Sequence, residues 1–243
     1  MDKLYIIIPA YNEEDNINTV ARDWHKVAVT TGIHSRLIII DDGSKDNTYK
    51  KLKCLKNELK QLDTISLPNG GHGAAVLFGY HYALSHEADF IFQTDSDGQT
   101  LSSEFGRFWD NRNAYDLTIG YRSDRQDGLT RVIITKILRL FLLLFFHIWI
   151  KDANTPYRLM TRNSLAECIK IIPENFYLTN TVLTVIYKKL KFKTKYIPIT
   201  FKPRQRGENK MDINRIFSIG KMSMLDFFKI NKLINRQKTQ YNR

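Results

Sequence analysis

The chain has 243 residues, 43% of them apolar, and carries 37 Lys and Arg against 25 Asp and Glu, a formal net charge of +12. That length supports one large α/β domain with appendages or two small domains, and the apolar share excludes disorder as the main state. Two cysteines, Cys54 and Cys168, stand far apart with no CxxC pair, which excludes a disulfide framework and a cysteine zinc site and favours a reducing compartment. The N-terminus runs straight into an apolar strand without a cationic leader, so no secretory signal is expected. Between Lys202 and Arg243 there are eleven basic and three acidic residues, so most of the surplus charge lies in the tail. Such a block suits a polyanion: nucleic acid, an acidic membrane surface or a phosphorylated substrate. No helix-turn-helix, zinc-finger spacing or aromatic ribonucleoprotein motif accompanies it, so nucleic acid is not expected as a partner.

In chain order, Leu4 to Pro9, Arg36 to Asp41, Thr64 to Leu67, Asp89 to Thr94 and Asp116 to Gly120 read as short buried strands. The stretches between them are long enough for crossover helices, which predicts a parallel, doubly wound sheet. Ligands bind such sheets at the carboxyl ends of the strands, and here those ends are polar. Pro9-Ala10-Tyr11-Asn12-Glu13 follows the first strand; Tyr11 offers a face to a base, and the acids suit a helix N-terminus. Asp41 and Asp42 follow the second, ahead of a helix cap at Ser44 or Asp46; two successive carboxylates exceed what a cap needs, so one is expected on a base or ribose. Asn69-Gly-Gly-His-Gly73 precedes an apolar helix from Ala74 to Leu84 and reads either as a tight turn or as a close backbone approach to a nucleotide sugar. It matches neither the P-loop nor the dinucleotide fingerprint. Asp95-Ser96-Asp97 follows the fourth strand, with Gln99 at the same rim, and these oxygens suit Mg2+ or Mn2+ carrying a nucleotide diphosphate.

Residues 132 to 150 form a run of mostly Leu, Ile and Phe, nearly long enough to cross a bilayer. Projected on one helix, Lys136, Arg139, His147 and Lys151 share an arc, which predicts a helix lying in the membrane interface; the alternative is a core helix under the sheet. Residues 213 to 236 repeat the pattern, with Lys221, Lys229, Lys232 and Arg236 on one side and Phe227, Ile230 and Ile234 among the apolar residues opposite. Two such helices favour attachment to anionic lipid. Residues 235 to 243 lack an apolar period and are expected to fray.

Taken together, IIIPAYNEEDNI, IIIDDGSKDNT, NGGHGAA and QTDSDGQ resemble the motifs, in order, of family 2 glycosyltransferases with the GT-A fold. Gly120-Tyr-Arg122, Arg131, Asp152 to Arg158 and Phe201 to Lys210 are similar to the subgroup holding dolichyl-phosphate mannose synthases and bacterial polyprenyl-phosphate sugar transferases. The resemblance implies a Rossmann-like, mostly parallel sheet flanked by helices over residues 1–211, within which the interfacial helix read from the sequence falls at 130–151; the basic amphipathic helix and tail follow at 212–243, and the length leads us to expect no separate transmembrane domain. It implies a nucleotide-sugar site of Pro9, Ala10, Tyr11, Glu13, Asp41, Asp42, Gly73, Asp95 and Ser96, and a metal held by Asp95, Asp97 and Gln99. Arg122, Arg131 and Arg204 would serve catalysis, with Arg131, Arg204 and Lys210 at the acceptor phosphate, and Asp152 is the candidate base if one is used. Two positions depart from the pattern: Asn209 stands where a Ser is usual, and Leu178-Thr-Asn180 replaces a helix-borne Glu, which bears on the acceptor side. The implied reaction is inverting transfer to a polyprenyl phosphate or a lipid-linked glycan at the cytoplasmic face of the membrane. Transfer to a soluble or protein-linked saccharide, and a non-catalytic sugar-nucleotide binder, are the rival readings.

Overall fold

A computed structural model describes residues 2–122, 140–173, 176–203 and 227–236. The chain alternates β1 (Leu4–Ala10), α1 (Ile17–Thr31), β2 (Arg36–Asp41), α2 (Thr48–Glu58), β3 (Leu62–Ser66), α3 (His72–Ser85) and β4 (Phe90–Gln93). After a short helix α4 (Gly106–Trp109) come β5 (Leu117–Arg122), the helical residues 140–146 (α5), β6 (Arg158–Thr161), α6 (Arg162–Ile169), α7 (Thr179–Lys189), β7 (Thr194–Ile199) and the helical residues 227–236 (α8). All seven strands join one sheet in the order β3-β2-β1-β4-β6-β5-β7. β6 runs antiparallel to both neighbours, and the other pairings are parallel.

The expected strands are present with shifted ends, and two further strands widen the sheet. β1 is buried along its whole length, Leu4, Ile6 and Ile8 entering one core while Tyr5 and Ile7 enter the other. Apolar residues on both faces are what a strand covered by helices on each side requires. On one face α1 contributes Ile17, Val20, Ala21, Trp24 and Ala28, a spacing that follows the helical period. On the other lies α3, brought close by Gly79: a Cβ there would sit 2.3 Å from Ile7 Cγ2 and 2.7 Å from Ile40 Cδ1.

The strand order reverses between β1 and β4, because β2 and β3 extend one way and β4 lies on the other side. That switch opens a crevice at the carboxyl ends of β1 and β4, between residues 11–16 and 94–99.

The two amphipathic segments divide their apolar residues. In α5, Leu142 and Phe146 are buried in the same core as α3, so the core reading holds for that face, whereas Leu140, Leu143 and Leu144 are exposed. The helix stops at 146 because His147 takes a left-handed backbone at φ +52°, so His147 and Lys151 leave the arc projected for one continuous helix. Lys136, Arg139 and the rest of 130–139 lie outside the described residues, as do Lys221 and the tail from 237. α8 inserts Phe227, Ile230 and Ile234 into the core and crosses α5, where Phe146 and Phe227 meet edge to face at 5.4 Å.

Candidate functional site

The loops after β1 and β2 are laced together. Asn12 N–H donates to Ser44 Oγ at 2.9 Å, Glu13 N–H to Thr48 Oγ1 at 2.8 Å, and Lys45 N–H to Asn12 Oδ1 at 2.8 Å. The cap of α2 falls one or more residues later than Ser44 or Asp46: Asn47 holds the N-cap position, and Asp46 Oδ1 accepts from Thr48 N–H at 2.9 Å. Glu13 is buried, its carbonyl opening α1 through the amides of Asn16 and Ile17, and its carboxylate accepts from Asn16 Nδ2 at 2.7 Å. Pro9 and Ala10 remain inside β1, paired with Ile40 and Asp41. Tyr11 is 42% exposed at the crevice, the one large apolar surface these loops offer a planar ligand.

Both expected nucleoside carboxylates serve the protein itself. Asp41 accepts from Ser44 N–H at 3.3 Å and Ser66 Oγ at 2.8 Å. Asp42 accepts from the amides of Gly70 at 2.8 Å and Gly71 at 2.9 Å, with Asn69 Nδ2 at 3.3 Å, and so ties down the glycine-rich loop before α3. A carboxylate accepts more bonds than these, so its pinning role leaves room for a ligand. Gly73 is explained by packing: a Cβ there would lie 2.2 Å from the Phe176 carbonyl oxygen and 2.8 Å from that of Tyr177.

The loop after β4 is closed by the Thr94 and Thr100 hydroxyls at 2.7 Å, and Ser96 within it is buried. Asp97 Oδ1 accepts from Gln99 N–H at 3.1 Å, while Asp95 Oδ1 accepts from His72 Nε2–H at 2.9 Å. Crowding by protein around the half-exposed His72 side chain would lower its pKa; the Asp95 carboxylate outweighs this by charge and hydrogen bond and holds the imidazole above its ordinary value. The sequence places His72 in the glycine-rich segment ahead of a helix expected from Ala74; in the structure it is the first residue of α3, whose approach to the end of β4 brings it to Asp95. Gln99 also has a bond within the protein. Its side chain is buried and donates Nε2–H to the Lys202 carbonyl at 2.7 Å, while Lys202 N–H returns to the Gln99 carbonyl at 2.8 Å. It clamps the segment after β7 to the rim through its amide nitrogen.

No group of three or more His, Cys, Asp and Glu gathers into a metal cage among the described residues. Asp95 and Asp97 are two carboxylates two residues apart at the end of a strand. That donor set fits a hard cation bound by one or two carboxylates and completed by substrate phosphate oxygens.

At the far side of the rim, Arg122 ends β5 and reaches Asp152 with two nitrogens, Nε–H to Oδ2 at 3.0 Å and Nη2 to Oδ1 at 3.3 Å. Asp152 is almost wholly buried, and the guanidinium also faces the Phe201 ring at 5.0 Å. Arg131, Arg204 and Lys210 lie outside the described residues. Below this pair, Arg158 is fully buried on β6 without a carboxylate in hydrogen-bonding reach among the described residues; it donates to the carbonyls of Ala153, Thr155 and Asn180 and to Thr184 Oγ1. Sequence reasoning assigned it no role, and its bonds knit the 153–155 turn to α7.

Comparison with known proteins agrees with this architecture. The model of the family described as "Glycosyl transferase family 2" matches residues 5–168. The chain is 27% identical over 224 residues to polyprenol monophosphomannose synthase of Mycolicibacterium smegmatis, covering 87% of this chain and 82% of that protein. It is 28% identical over 241 residues to a UDP-N-acetylglucosamine–dolichyl-phosphate N-acetylglucosaminyltransferase of Methanococcus voltae, covering 89% and 94%. Against a putative glycosyltransferase of Bacillus subtilis it spans 66% of the relative's length. Among solved structures, glucosyl-3-phosphoglycerate synthase of Mycobacterium tuberculosis, crystallised with Mn2+, UDP and phosphoglyceric acid, shares the fold at a TM-score of 0.67 and 15% identity, over 95% of this chain and 78% of that one.

Proposed function

Because the chain belongs to glycosyl transferase family 2 and is a glycosyltransferase, we propose that it moves a sugar from a nucleotide-diphosphate donor to a polyprenyl phosphate, or to a glycan carried on one, at the cytoplasmic face of a membrane. The observation that carries the donor half is the convergence of the Asp42-tied glycine loop and the Asp95–Asp97 loop through the His72 contact. Tyr11 offers the base its exposed ring, Glu13 and Asp41 hold the loops around it, and Asp95 and Asp97 hold Mg2+ or Mn2+. When bound, that ion neutralises charge developing on the departing nucleoside diphosphate. Relatives named for polyprenol and dolichyl-phosphate acceptors support the acceptor half.

The Asp152 geometry suits a phosphate acceptor. Its two oxygens both face Arg122, an arrangement that holds a guanidinium rather than reaching for a proton. An ionised lipid phosphate is already a nucleophile and needs no base, whereas a sugar hydroxyl needs one. Arg131, Arg204 and Lys210 are assigned to the acceptor phosphate on resemblance, and bidentate guanidinium donors suit that task.

Attachment is supported by α5 and α8. Leu144 on α5 is 60% exposed, Trp149 just after it 68% and Phe228 on α8 60%, and Phe228 meets Phe145 edge to face at 4.8 Å, so exposed apolar groups lie on both helices and beside them. Lys229, Lys232 and Arg236 are exposed along α8. No helix among the described residues is long and apolar enough to cross a membrane. Flotation with vesicles containing anionic lipid tests this: at about 1 kcal/mol per basic residue, replacing all three with Glu lowers partitioning by about two orders of magnitude or more. Equal flotation of wild type and variant would overturn the attachment, and transfer only to soluble saccharides would overturn the acceptor.

A further inference from the structure

We propose that His72 is a positioning residue of the donor site, which holds the Asp95 carboxylate so that its second oxygen faces a divalent cation. The inference deepens the metal assignment above and rests on it.

Three observations carry it. First, His72 Nε2–H donates to Asp95 Oδ1 at 2.9 Å, and among the described residues Asp95 Oδ2 accepts no hydrogen bond. One oxygen is thus held by protein while the other remains for a ligand, the arrangement in which an outer partner orients a metal-binding carboxylate. Second, the imidazole is placed from both sides. The two residues before it, Gly70 and Gly71, are tied by their amides to Asp42, and the residue after it, Gly73, is packed against the Phe176 and Tyr177 carbonyls. Thr179 Oγ1 also donates to the Gly73 carbonyl at 3.1 Å. Third, His72 is the first residue of α3, whose Gly79 lies against Ile7 and Ile40, so the helix that presents the imidazole is set on β1 and β2. Asp95 follows β4, paired with β1 on its other edge. The contact therefore bridges two elements whose separation the sheet determines, and a side chain reaching across it sets the Asp95 rotamer. Because Asp42 ties the loop that carries His72, the nucleoside end of the site and its cation end share one run of contacts.

The test is Mn2+ binding by the full chain at constant pH, followed by electron paramagnetic resonance, first with Mn2+ alone and then with UDP present. His72→Ala is expected to weaken Mn2+ binding about 10–100-fold, the usual effect of losing an outer-shell partner. His72→Gln, whose amide nitrogen reaches as far as Nε2, is expected to restore most of it, and melting temperatures and metal-free UDP binding should stay as in wild type. If alanine disturbs α3, His72→Asn keeps a polar side chain too short to reach Asp95 and should bind Mn2+ as weakly as alanine does. Wild-type Mn2+ affinity in His72→Ala, alongside loss in Asp95→Asn, would overturn the positioning role and leave the metal assignment standing. Unchanged affinity in Asp95→Asn as well would overturn the metal assignment itself.

Discussion

Replacing Asp42 with Asn separates a carboxylate that organises its own loop from one that only receives a ligand. Asp42 is 3% exposed, and its two oxygens accept from different amides, Oδ1 from Gly70 and Oδ2 from Gly71. Asparagine keeps one acceptor oxygen and turns an NH2 group towards the other amide, donor against donor. Hydrogen bonds to a charged group contribute about 1.5–3 kcal/mol. Gly70 is exposed and can turn its freed amide to water, so the lower part of that range applies, about 2 kcal/mol. For a chain of this size that corresponds to a fall of roughly 4–8 °C in Tm. The assay is thermal unfolding by circular dichroism without nucleotide, paired with calorimetric titration of UDP in the presence of Mn2+. The reasoning expects both signals to move, because the loop that loses its tie also carries His72. An unchanged Tm with UDP binding abolished would refute it and make Asp42 a ligand-only residue.

Other outcomes follow from the same contacts. Gly73→Ala drives a methyl group into the Phe176 carbonyl oxygen, and should lower stability by about 1–3 kcal/mol in urea unfolding; an unchanged midpoint would mean that α3 and the 176–179 turn separate freely. Asp97→Ala should abolish metal-dependent transfer while the melting curve stays cooperative, and retained metal-dependent turnover would remove Asp97 from the donor site. Cys168 is fully buried and burial pushes its thiol well up, whereas Cys54 is exposed, so a thiol reagent at neutral pH should label one cysteine in the native protein and both in denaturant. Fast labelling of both in the native state would contradict the packing of α6.

The left half of the sheet was legible because its strands are continuous apolar runs that end in polar clusters, as at Ile38-Ile39-Ile40 before Asp41-Asp42. The strands β6 and β7 were not. β6 is four residues long, opens on a buried arginine and runs against its neighbours, so neither its length nor its polarity marks a strand. Arg158 is tolerated there because backbone carbonyls from a turn and a helix converge on it, a tertiary circumstance invisible in a window of sequence. Site residues divide in the same way. Asp95 and Asp97 could be placed at a rim from the strand before them, but the bond that holds the Gln99 amide nitrogen comes from Lys202, which lies far along the chain. The interfacial and core readings of residues 140–146 competed because the segment is apolar on more than one face, and the structure buries Leu142 and Phe146 while leaving Leu140, Leu143 and Leu144 exposed.

The most direct measurement of the central claim is sugar transfer from a panel of labelled nucleotide sugars to undecaprenyl phosphate in anionic vesicles, with and without Mn2+. The account predicts a sugar-linked lipid phosphate, formed only with the divalent ion and lost in Asp97→Ala. Label appearing only in soluble saccharide, or lipid product formed equally well in the presence of a chelator, would contradict it.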